Sequence, residues 1–361
     1  MSSLRLIDCL RAKSKKDDDN QINLLLKDHI LETVKRAIEI KKTHDNNKEY
    51  INYNMNEDFF KKLIKAAFLH DLGKIDYHFQ KEVYSWEERQ TDEFKVIKKF
   101  FDSHDSNITD HEFLSVLYSF LFNDSSDDMG EVRSAILLHH YNDYYNKKNP
   151  SINNFITDYP NSLEWLKFIS SKQQEFKELV FSLREYVIDS LKDELVSKAL
   201  NELDIDFNLI NGIEKRWNRS FKIKMYEFSL DNTERDKLYE FLFLLGCLRR
   251  CDYAASGNVK AEEITNFDIV YKDLEKNIKS NLKEIKEDMW QEELIKSIDS
   301  KNLILVAPTG SGKTEFSLLW AKKRGKKLVY TLPLRVALND LYGRFNGTNE
   351  NSNCPYFNPN E

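Results

Sequence analysis

The feature that most limits the fold of this chain is a long stretch of helical periodicity. From about residue 22 to about residue 255, apolar residues recur at steps of three and four positions, as in INLLLKDHILETVKRAIEI and HEFLSVLYSFLF. This spacing puts the apolar side chains on one face of an α-helix. Only 10 Gly and 6 Pro occur in 361 residues, so little interrupts the pattern. The sequence therefore predicts a mainly α fold that begins with a helical bundle.

The pattern changes near residue 256. The apolar runs LILV at 303–306 and LVYTL at 328–332 predict two short buried strands with a helix between them, which is the unit of a parallel sheet. A charged helix is predicted before them, at about 274–298. We therefore expect a first domain at 1–260, a connector at 261–285 and a partial α/β lobe at 286–361.

The segment APTGSGKT at 307–314 lies between the first predicted strand and the predicted helix, as a P-loop requires. In a P-loop, backbone N–H groups cradle phosphates, the Lys reaches the β- and γ-phosphates, and the Thr hydroxyl binds Mg²⁺. The first position is Ala307 instead of Gly, as is common in helicases. A chance Gly-rich turn is disfavoured because strand, loop and helix are in register. The nucleotide-binding candidates are Pro308, Thr309, Gly310, Ser311, Gly312, Lys313 and Thr314.

Charge and cysteine content narrow the function classes. The net charge of −6 does not indicate a chain that binds nucleic acid over its whole surface, so such binding depends on local patches and bound cations. One patch, KRWNRSFKIK at 215–224, interleaves basic and aromatic residues as single-strand binders do, although a solvated helix face explains it as well. The four cysteines lack zinc spacing and indicate free thiols. With no secretory signal and no membrane-length apolar run, we expect a cytoplasmic protein.

Histidines are distributed over the first domain in a way that suggests a shared site. Five of the eight fall on four separate apolar helices, and a bundle can bring such positions together: His29, His70, His111, His139 and His140. Each alone is more often a structural residue than a ligand. The adjacent His70 and Asp71 either satisfy each other in the core or hold something. Imidazoles with carboxylates bind divalent transition metals, and a shared carboxylate can hold two ions roughly 3.5–4 Å apart.

Three further residues accompany the histidines. Asp71 is the natural bridging carboxylate. Lys74 lies one helical turn after His70 and could reach a phosphate oxygen. Asp252 follows a strongly apolar helix; alone it would be an ordinary surface residue, but near the end of such a domain it is a candidate ligand.

These segments resemble a known family. In order, LLLKDHI, AAFLHDLGKIDYHFQ, DHEFLS, ILLHHY and LRRCDYAAS look like successive motifs of the HD phosphohydrolase superfamily. More narrowly, they resemble the HD nuclease domain of the CRISPR-associated helicase–nucleases of type I interference systems. The resemblance covers about residues 20–260. It implies a helical HD-type bundle that nicks and degrades single-stranded DNA with two divalent metals.

The resemblance also implies roles for individual residues. One metal would be held by His29, His70, Asp71 and Asp252, and Asp71 would bridge to a second metal held by His111, His139 and His140. Lys74 and Ser256 would lie near the scissile phosphate, so that the catalytic candidates are Asp71, Lys74 and Ser256. The chain departs from the family at Asp110, where Arg is common, and at Tyr253, where Trp is frequent. A ligand set with this many imidazoles favours binding of Mn, Fe, Co or Ni. His44, His78 and His104 fall outside the pattern.

The second domain resembles the first part of a RecA-like helicase lobe. TLPLRVALNDLYGRF looks like the helicase segment that contacts the DNA backbone, with Arg335 as the phosphate contact. Gln291 is a candidate adenine reader, although a solvated helix face is an equal alternative. No acidic Mg²⁺ box or second lobe follows within the 361 residues. We therefore expect a fragment that binds nucleotide weakly and does not translocate, whereas the full-length helicase would use ATP and Mg.

Three functions are compatible with these features. The leading interpretation is a metal-dependent single-stranded DNA endonuclease/exonuclease of CRISPR interference, coupled to a helicase and recruited by a Cascade-type RNA-guided complex, with no membrane partner. The second is an HD phosphohydrolase that acts on nucleotides or cyclic nucleotides; the fused P-loop lobe and the HH pair argue against it. The third is a docking module for an effector complex with vestigial catalysis, which the intact ligand set disfavours.

Overall fold

The computed structural model describes residues 4–15, 23–46, 55–105, 110–123, 129–140, 159–212, 232–261, 274–281, 289–325, 328, 330–331 and 335–346. The chain divides into two compact units, Met1–Glu263 and Ile264–Glu361. The described residues are mainly helical, which confirms the predicted fold class. None of the described helices is both long and apolar enough to cross a membrane. The predicted basic and aromatic patch at 215–224 lies outside the described residues.

The first unit is a helical bundle. Its described α-helices are α1 (Leu26–Asn46), α2 (Glu57–Leu69), α3 (Tyr77–Val83), α4 (Asp92–Phe101), α5 (His111–Ser119), α6 (Met129–Leu138), α7 (Tyr159–Ser171), α8 (Gln173–Leu191), α9 (Glu194–Asn201) and α10 (Asn232–Ser256). A two-stranded antiparallel sheet pairs β1 (Phe122–Asn123) with β2 (Asp204–Ile205), so that Phe122 lies opposite Ile205. Short 3₁₀ turns at Leu6–Asp8, Leu72–Lys74, Glu88–Gln90 and Phe207–Gly212 complete the described elements.

Helix α2 occupies the centre of this bundle. The Asn56 side chain caps its N-terminus by accepting a hydrogen bond from the Phe59 backbone N–H, and Glu57 and Asp58 complement the helix dipole there. α2 packs against α1, α6, α9 and α10, and its apolar residues from Phe59 to Leu69 are buried. A helix surrounded in this way ends in the interior, which explains why the adjacent His70 and Asp71 are buried.

The second unit has its own small core. Its described helices are α11 (Leu274–Asn281), α12 (Trp290–Ser297), α13 (Lys313–Arg324) and α14 (Arg335–Asn346). The core joins residues from α11, α12 and α13 with Met289: Leu274, Ile278, Met289, Ile295, Phe316, Leu318, Leu319 and Ala321. α11 lies within the range predicted as a connector, yet Leu274 and Ile278 are fully packed in this core.

The buried strand predicted at 303–306 is wrong for this structure. Ile304 and Val306 are each 91% exposed, whereas Leu303 and Leu305 pack against the core of the second unit. This alternation is that of extended backbone with one packed face. However, no backbone hydrogen bond joins the segment to another described residue, and a strand requires such pairing. The second predicted strand, at 328–332, lies largely outside the described residues; Leu328, Tyr330 and Thr331 are not in a strand.

Candidate metal centre

Five elements of the bundle converge on one buried cluster of potential ligands. The contributing elements are α1, the turn after α2, the start of α5, the turn after α6 and the last two turns of α10. Two groups of ligand atoms form there, and within each group the atoms lie within 4.8 Å of one another: Asp71, His111, His139 and His140 in one, and His29, His70 and Asp252 in the other. All seven predicted metal ligands are therefore brought together.

Asp71 lies between the two groups. Its Oδ2 is 3.0 Å from His29 Nε2 and 3.4 Å from His70 Nε2. Its Oδ1 is 3.3 Å from His111 Nε2 and 3.9 Å from His139 Nε2. Each carboxylate oxygen thus faces a different group of histidines. This is the arrangement that a bridging carboxylate needs.

The inward-facing atoms of the cluster lack hydrogen bonds. Five buried atoms have no hydrogen-bond partner among the residues that the structure describes, because the short contacts to Asp71 do not have hydrogen-bond geometry: His29 Nε2, His70 Nε2, His111 Nε2, His139 Nε2 and Asp71 Oδ1. Leaving a polar group buried and unsatisfied costs roughly 1–3 kcal/mol. Five such atoms aimed at one another fit a site whose ligand is a cation.

The outer nitrogens of two histidines fix the orientation of the rings. His70 Nδ1 lies 2.8 Å from the Ala67 carbonyl oxygen, and His139 Nδ1 lies 2.5 Å from the Ile136 carbonyl oxygen. Since a carbonyl only accepts, each Nδ1 carries a proton, and in the neutral form of either ring Nε2 would present its lone pair to the cluster. Metal-binding histidines are typically held in this way by their second nitrogen.

Electrostatics keep the two carboxylates of the cluster ionised. Burial by itself raises the pKa of Asp71, but His70 and Lys74 outweigh it and hold the pKa well below its usual range. Burial opposes ionisation of Asp252 as well, and His29 and His70 lower the pKa of that carboxyl well below its usual range. Both side chains are therefore charged at neutral pH, as metal ligands must be.

Three histidines of the cluster have shifted pKa values, and the shifts differ in direction. Burial lowers the pKa of His139 strongly, and neighbouring His70 and His140 lower it further. Burial also lowers the pKa of His140. In contrast, the carboxylates of Asp252 and Asp71 outweigh the burial of His29 and raise its pKa. His139 and His140 are therefore neutral and free to coordinate, whereas a cation at the other group would have to displace a proton from His29.

The turn after Asp71 brings the site against α5. The Gly73 backbone N–H donates to Ser115 Oγ at 2.8 Å, and Ser115 Oγ donates to the His111 carbonyl oxygen at 2.8 Å. A Cβ at Gly73 would lie 1.9 Å from the His111 carbonyl oxygen. Only glycine permits this approach, so Gly73 sets the position of His111 relative to Asp71. Gly73 was assigned no role from sequence, although its place in HDLGK was a signal.

Gln80 connects the same turn to the N-terminal segment. Its side chain is fully buried; its Nε2 donates to the carbonyl oxygens of Arg11 and Lys74 at 2.9 Å each, and its Oε1 accepts from the Arg11 backbone N–H at 3.0 Å. One amide group therefore satisfies three backbone groups. This role was also not assigned from sequence, although FQ was noted as part of the motif.

The other two predicted catalytic residues, Lys74 and Ser256, differ in their distance from the cluster and in exposure. Lys74 Nζ donates to Asp71 Oδ2 at 2.7 Å, so its ammonium is part of the cluster. Ser256 is exposed at the last residue of α10, one turn after Asp252. Tyr253 is 52% exposed, and the Arg249 guanidinium donates to its hydroxyl.

The three remaining histidines lie apart from the cluster. His44 is buried against Phe60, and its Nε2 accepts from the Met55 backbone N–H. His104 stacks on Phe168 with ring centroids 4.4 Å apart. His78 is half-buried and pairs with the carboxylate of Asp105. Neither metal-ligand group includes any of them.

The predicted P-loop of the second unit forms a compact turn. Gly310 and Gly312 have positive φ values of 79° and 86°, which glycine adopts without strain. Lys313 opens α13, and its Nζ donates to the carbonyl oxygens of Ala307 and Pro308 at 2.8 and 2.7 Å. The Lys313 ammonium, which was predicted to reach a phosphate, thus forms hydrogen bonds with the loop carbonyls.

Gln291 packs against this loop and is not on a solvated face. It is 2% exposed, and its Nε2 donates to the carbonyl oxygens of Ser311 and Gly312 at 3.2 and 3.4 Å. Adenine reading by Gln291 stays a prediction. Thr314 is half-buried at the start of α13. Arg335 begins α14, and its side chain lies outside the described residues.

A helical bundle that gathers histidines around the aspartate of an HD pair defines an HD-type domain. Comparison with family models gives the particular family. Residues 12–212 match the model of the Cas3 HD domain, and residues 288–356 match that of the DEAD/DEAH box helicases. The chain therefore belongs to the Cas3 HD-domain family.

Two curated proteins support this assignment. The "CRISPR-associated nuclease/helicase Cas3" of Methanothermobacter thermautotrophicus is 38% identical over 357 residues, which cover 95% of this chain and 40% of that protein. A protein of Methanocaldococcus jannaschii that carries the same name in provisional form is 28% identical over 238 residues, 58% of this chain and 30% of that protein. This chain thus spans less than half the length of either relative. No solved structure matches it significantly.

Proposed function

We propose that this chain carries a divalent-metal-dependent nuclease that cleaves single-stranded DNA in CRISPR interference. The observation that carries the proposal is the pair of ligand groups that meet at Asp71, with five buried atoms that lack hydrogen-bond partners among the described residues. The match to the Cas3 HD-domain model and the names of the two relatives support the same function.

The residues present fit two divalent cations. His29, His70 and Asp252 would hold one ion, the other would be held by His111, His139 and His140, and Asp71 would bridge the two. When bound, a pair of such ions stabilises the charge of a phosphodiester and lowers the pKa of water. The imidazole-rich donor set favours Mn, Fe, Co or Ni over Mg.

Other groups of the chain would handle the substrate. The Lys74 ammonium, already inside the cluster, would bind a phosphate oxygen of the strand. Ser256, exposed one turn after Asp252, would contact the same phosphate or its neighbour. Neither group needs to transfer a proton in this role, because binding and orientation of the phosphate suffice.

We further propose that the second unit binds ATP and Mg as part of a longer DNA helicase. Lys313 would exchange its two loop carbonyls for nucleotide phosphates, and Arg335 would contact the DNA backbone. The match to the DEAD/DEAH box helicase model over residues 288–356 supports this role. Recruitment by an RNA-guided effector complex belongs to the same proposal.

A nicking assay on circular single-stranded DNA tests the nuclease function. We expect cleavage with added Mn²⁺, Co²⁺ or Ni²⁺, none with chelator, and none for Asp71→Ala. His78→Ala serves as the control, because His78 lies outside the cluster. Metal-loaded wild-type protein that leaves the DNA intact would overturn the proposal. Hydrolysis of nucleotides or cyclic nucleotides without polymer cleavage would favour the second function considered from sequence, and failure to take up metal would favour a docking role.

A further inference from the structure

A buried ammonium joins the three packed helices that end at the metal centre. Lys62 of α2 is 8% exposed. Its Nζ donates to Glu131 Oε2 of α6 at 2.7 Å and to Glu240 Oε1 of α10 at 2.9 Å. Each bond therefore links a different pair of helices. We refer to Lys62, Glu131 and Glu240 as the ion triad.

The ion triad lies in register with the ligands on the same helices. Lys62 precedes His70 by 8 residues, and Glu131 precedes His139 by 8. At about 1.5 Å per residue, both separations are about 12 Å. Because Lys62 contacts Glu131 while Asp71 lies beside His139, α2 and α6 run in the same direction.

The third helix has the same direction. Glu240 precedes Asp252 by 12 residues, about 18 Å along α10. Glu240 contacts Lys62, and Asp252 lies 3.8 Å from His70. The three helices also pack pairwise against one another. They therefore form a parallel group with the metal ligands towards the C-terminal ends and the ion triad about 12–18 Å before them.

The charges of the ion triad reinforce one another. Burial by itself lowers the pKa of Lys62, but the carboxylates of Glu131 and Glu240 outweigh it and raise the pKa, so the ammonium stays charged. Charge-assisted hydrogen bonds of this kind are short and directional. A slide of α6 or α10 along α2 would break one of the hydrogen bonds to the buried Lys62 ammonium. The arrangement therefore opposes axial displacement of the ligand-bearing helices.

We propose that Lys62 is a positioning residue for the metal centre. It fixes the axial register of α2, α6 and α10 and so holds the ligands on these helices within coordinating distance of one another. This inference rests on the metal-dependent function proposed above, since its readout is the affinity for the cations. Lys62 does not touch the cluster itself, and it acts through the backbone of the three helices.

The chain offers a matched control one turn away. Lys65 of α2 is 3% exposed, and its Nζ lies 2.8 Å from Glu202 Oε2. Glu202 follows α9, which carries no candidate metal ligand. Lys62 and Lys65 are therefore alike in chemistry and burial, but the hydrogen bonds of Lys62 to Glu131 and Glu240 connect ligand-bearing helices, whereas the contact of Lys65 connects α2 to the end of α9. Met replaces either lysine with an apolar side chain of similar length.

The first experiment compares Lys62→Met with Lys65→Met in this chain. Mn²⁺ binding is measured by calorimetry below the unfolding temperature of each variant, and stability is measured by thermal unfolding. We expect Lys62→Met to weaken Mn²⁺ binding on the order of tenfold, the scale seen for outer residues that orient ligands. Lys65→Met should lose stability but keep the wild-type affinity for Mn²⁺. Lys62→Arg retains the charge and should bind Mn²⁺ as tightly as the wild type.

A second experiment separates the two arms of the ion triad and does not require removal of the lysine. Glu131→Gln loosens α6, so we expect lower Mn²⁺ occupancy at the group that contains His139. Glu240→Gln loosens α10 and should lower occupancy at the group that contains Asp252. Anomalous diffraction from Mn²⁺-soaked crystals reports each occupancy.

The outcomes distinguish the two proposals. Wild-type protein that binds Mn²⁺ while Lys62→Met binds it as tightly as Lys65→Met overturns the positioning role alone. Equal occupancy changes in both Glu variants contradict the assignment of one arm to each group. Wild-type protein that binds no transition metal overturns the proposed function and this inference together.

Discussion

Gly73 and His111 approach so closely that a Cβ on Gly73 would lie 1.9 Å from the His111 carbonyl oxygen. The contact joins the turn that carries Asp71 to the helix that begins with His111. The presence of glycine at this position of the HDLGK motif therefore has a steric explanation that does not involve a ligand.

Substitution Gly73→Ala tests this contact. We expect a loss of about 1–3 kcal/mol in the free energy of unfolding, the usual cost of overpacking, because backbone on both sides must move. Urea unfolding measures the change. Gly246→Ala is the control: an added Cβ there meets no described atom within 4 Å, and Ala in an exposed helix is favoured over Gly. Equal stabilities of the two variants would show that the turn adapts freely.

Divalent cations should stabilise the first unit. A ligand that binds only the folded state adds about 2.7 kcal/mol at a free concentration near 100 times Kd. We expect Mn²⁺ or Co²⁺ to raise the unfolding temperature of the wild type by several degrees and chelator to reverse the effect. The shift should shrink in His139→Ala and persist in His78→Ala. An undiminished shift in His139→Ala would mean that the cation binds elsewhere.

Replacement of Gln80 should destabilise the turn after Asp71. Gln80→Leu removes three buried hydrogen bonds and leaves the backbone groups of Arg11 and Lys74 without them. We expect a loss of about 3 kcal/mol in the free energy of unfolding. Gln174→Leu, at an exposed position on α8, should change it by less than about 0.5 kcal/mol. Chemical denaturation of both variants provides the comparison.

The pair of Arg11 and Glu88 predicts a dependence of stability on pH. The Arg11 guanidinium donates two hydrogen bonds to Glu88, at 2.9 and 3.0 Å, and is the main cause that lowers the pKa of Glu88 from 4.5 to about 2. A lowered pKa in the folded state means that the pair stabilises the fold above pH 4.5 and that this contribution is lost as the pH falls from 4.5 towards 2.

The variant Glu88→Gln isolates this effect. We expect it to be about 1–2 kcal/mol less stable than wild type at pH 7, allowing for partial solvent screening, and the difference should vanish as the pH approaches 2. Unfolding measured across this range checks the trend. Glu87→Gln, at an exposed neighbouring position, should show no such convergence. A difference between wild type and Glu88→Gln that is independent of pH would contradict the assigned pKa.

The sequence was most informative where residue type and helical spacing combine. An imidazole on an apolar helix face points inward, so a meeting of His29 with His70 could be predicted from the helices. Asp252 was grouped with them only by the family resemblance. Their role as metal ligands stays a prediction. Pairing at Lys62 could not be predicted, because its partners lie 69 and 178 residues away and a lysine in an amphipathic helix is usually solvated.

The error at 303–306 has a different origin. A short apolar run shows that a segment is suited to a buried strand, but strand formation depends on neighbours that supply hydrogen bonds. Leu303 and Leu305 pack as predicted for one face, whereas Ile304 and Val306 face outward. The alternation of side chains follows from the extended backbone of the segment itself, whereas its pairing with another strand depends on residues far away in the sequence.

The contact of Gln80 with Arg11 has a consequence for dissecting the molecule. The segment before α1 carries no candidate ligand, yet Arg11 pairs with Leu25 and anchors the amide that supports Lys74. A truncated protein that starts at α1 would retain all seven candidate ligands and still lose the backbone groups that hold the Gln80 amide beside Lys74. If such a deletion abolished activity, the N-terminal segment would be assigned a role in the chemistry, although its contribution is structural support of the turn after Asp71.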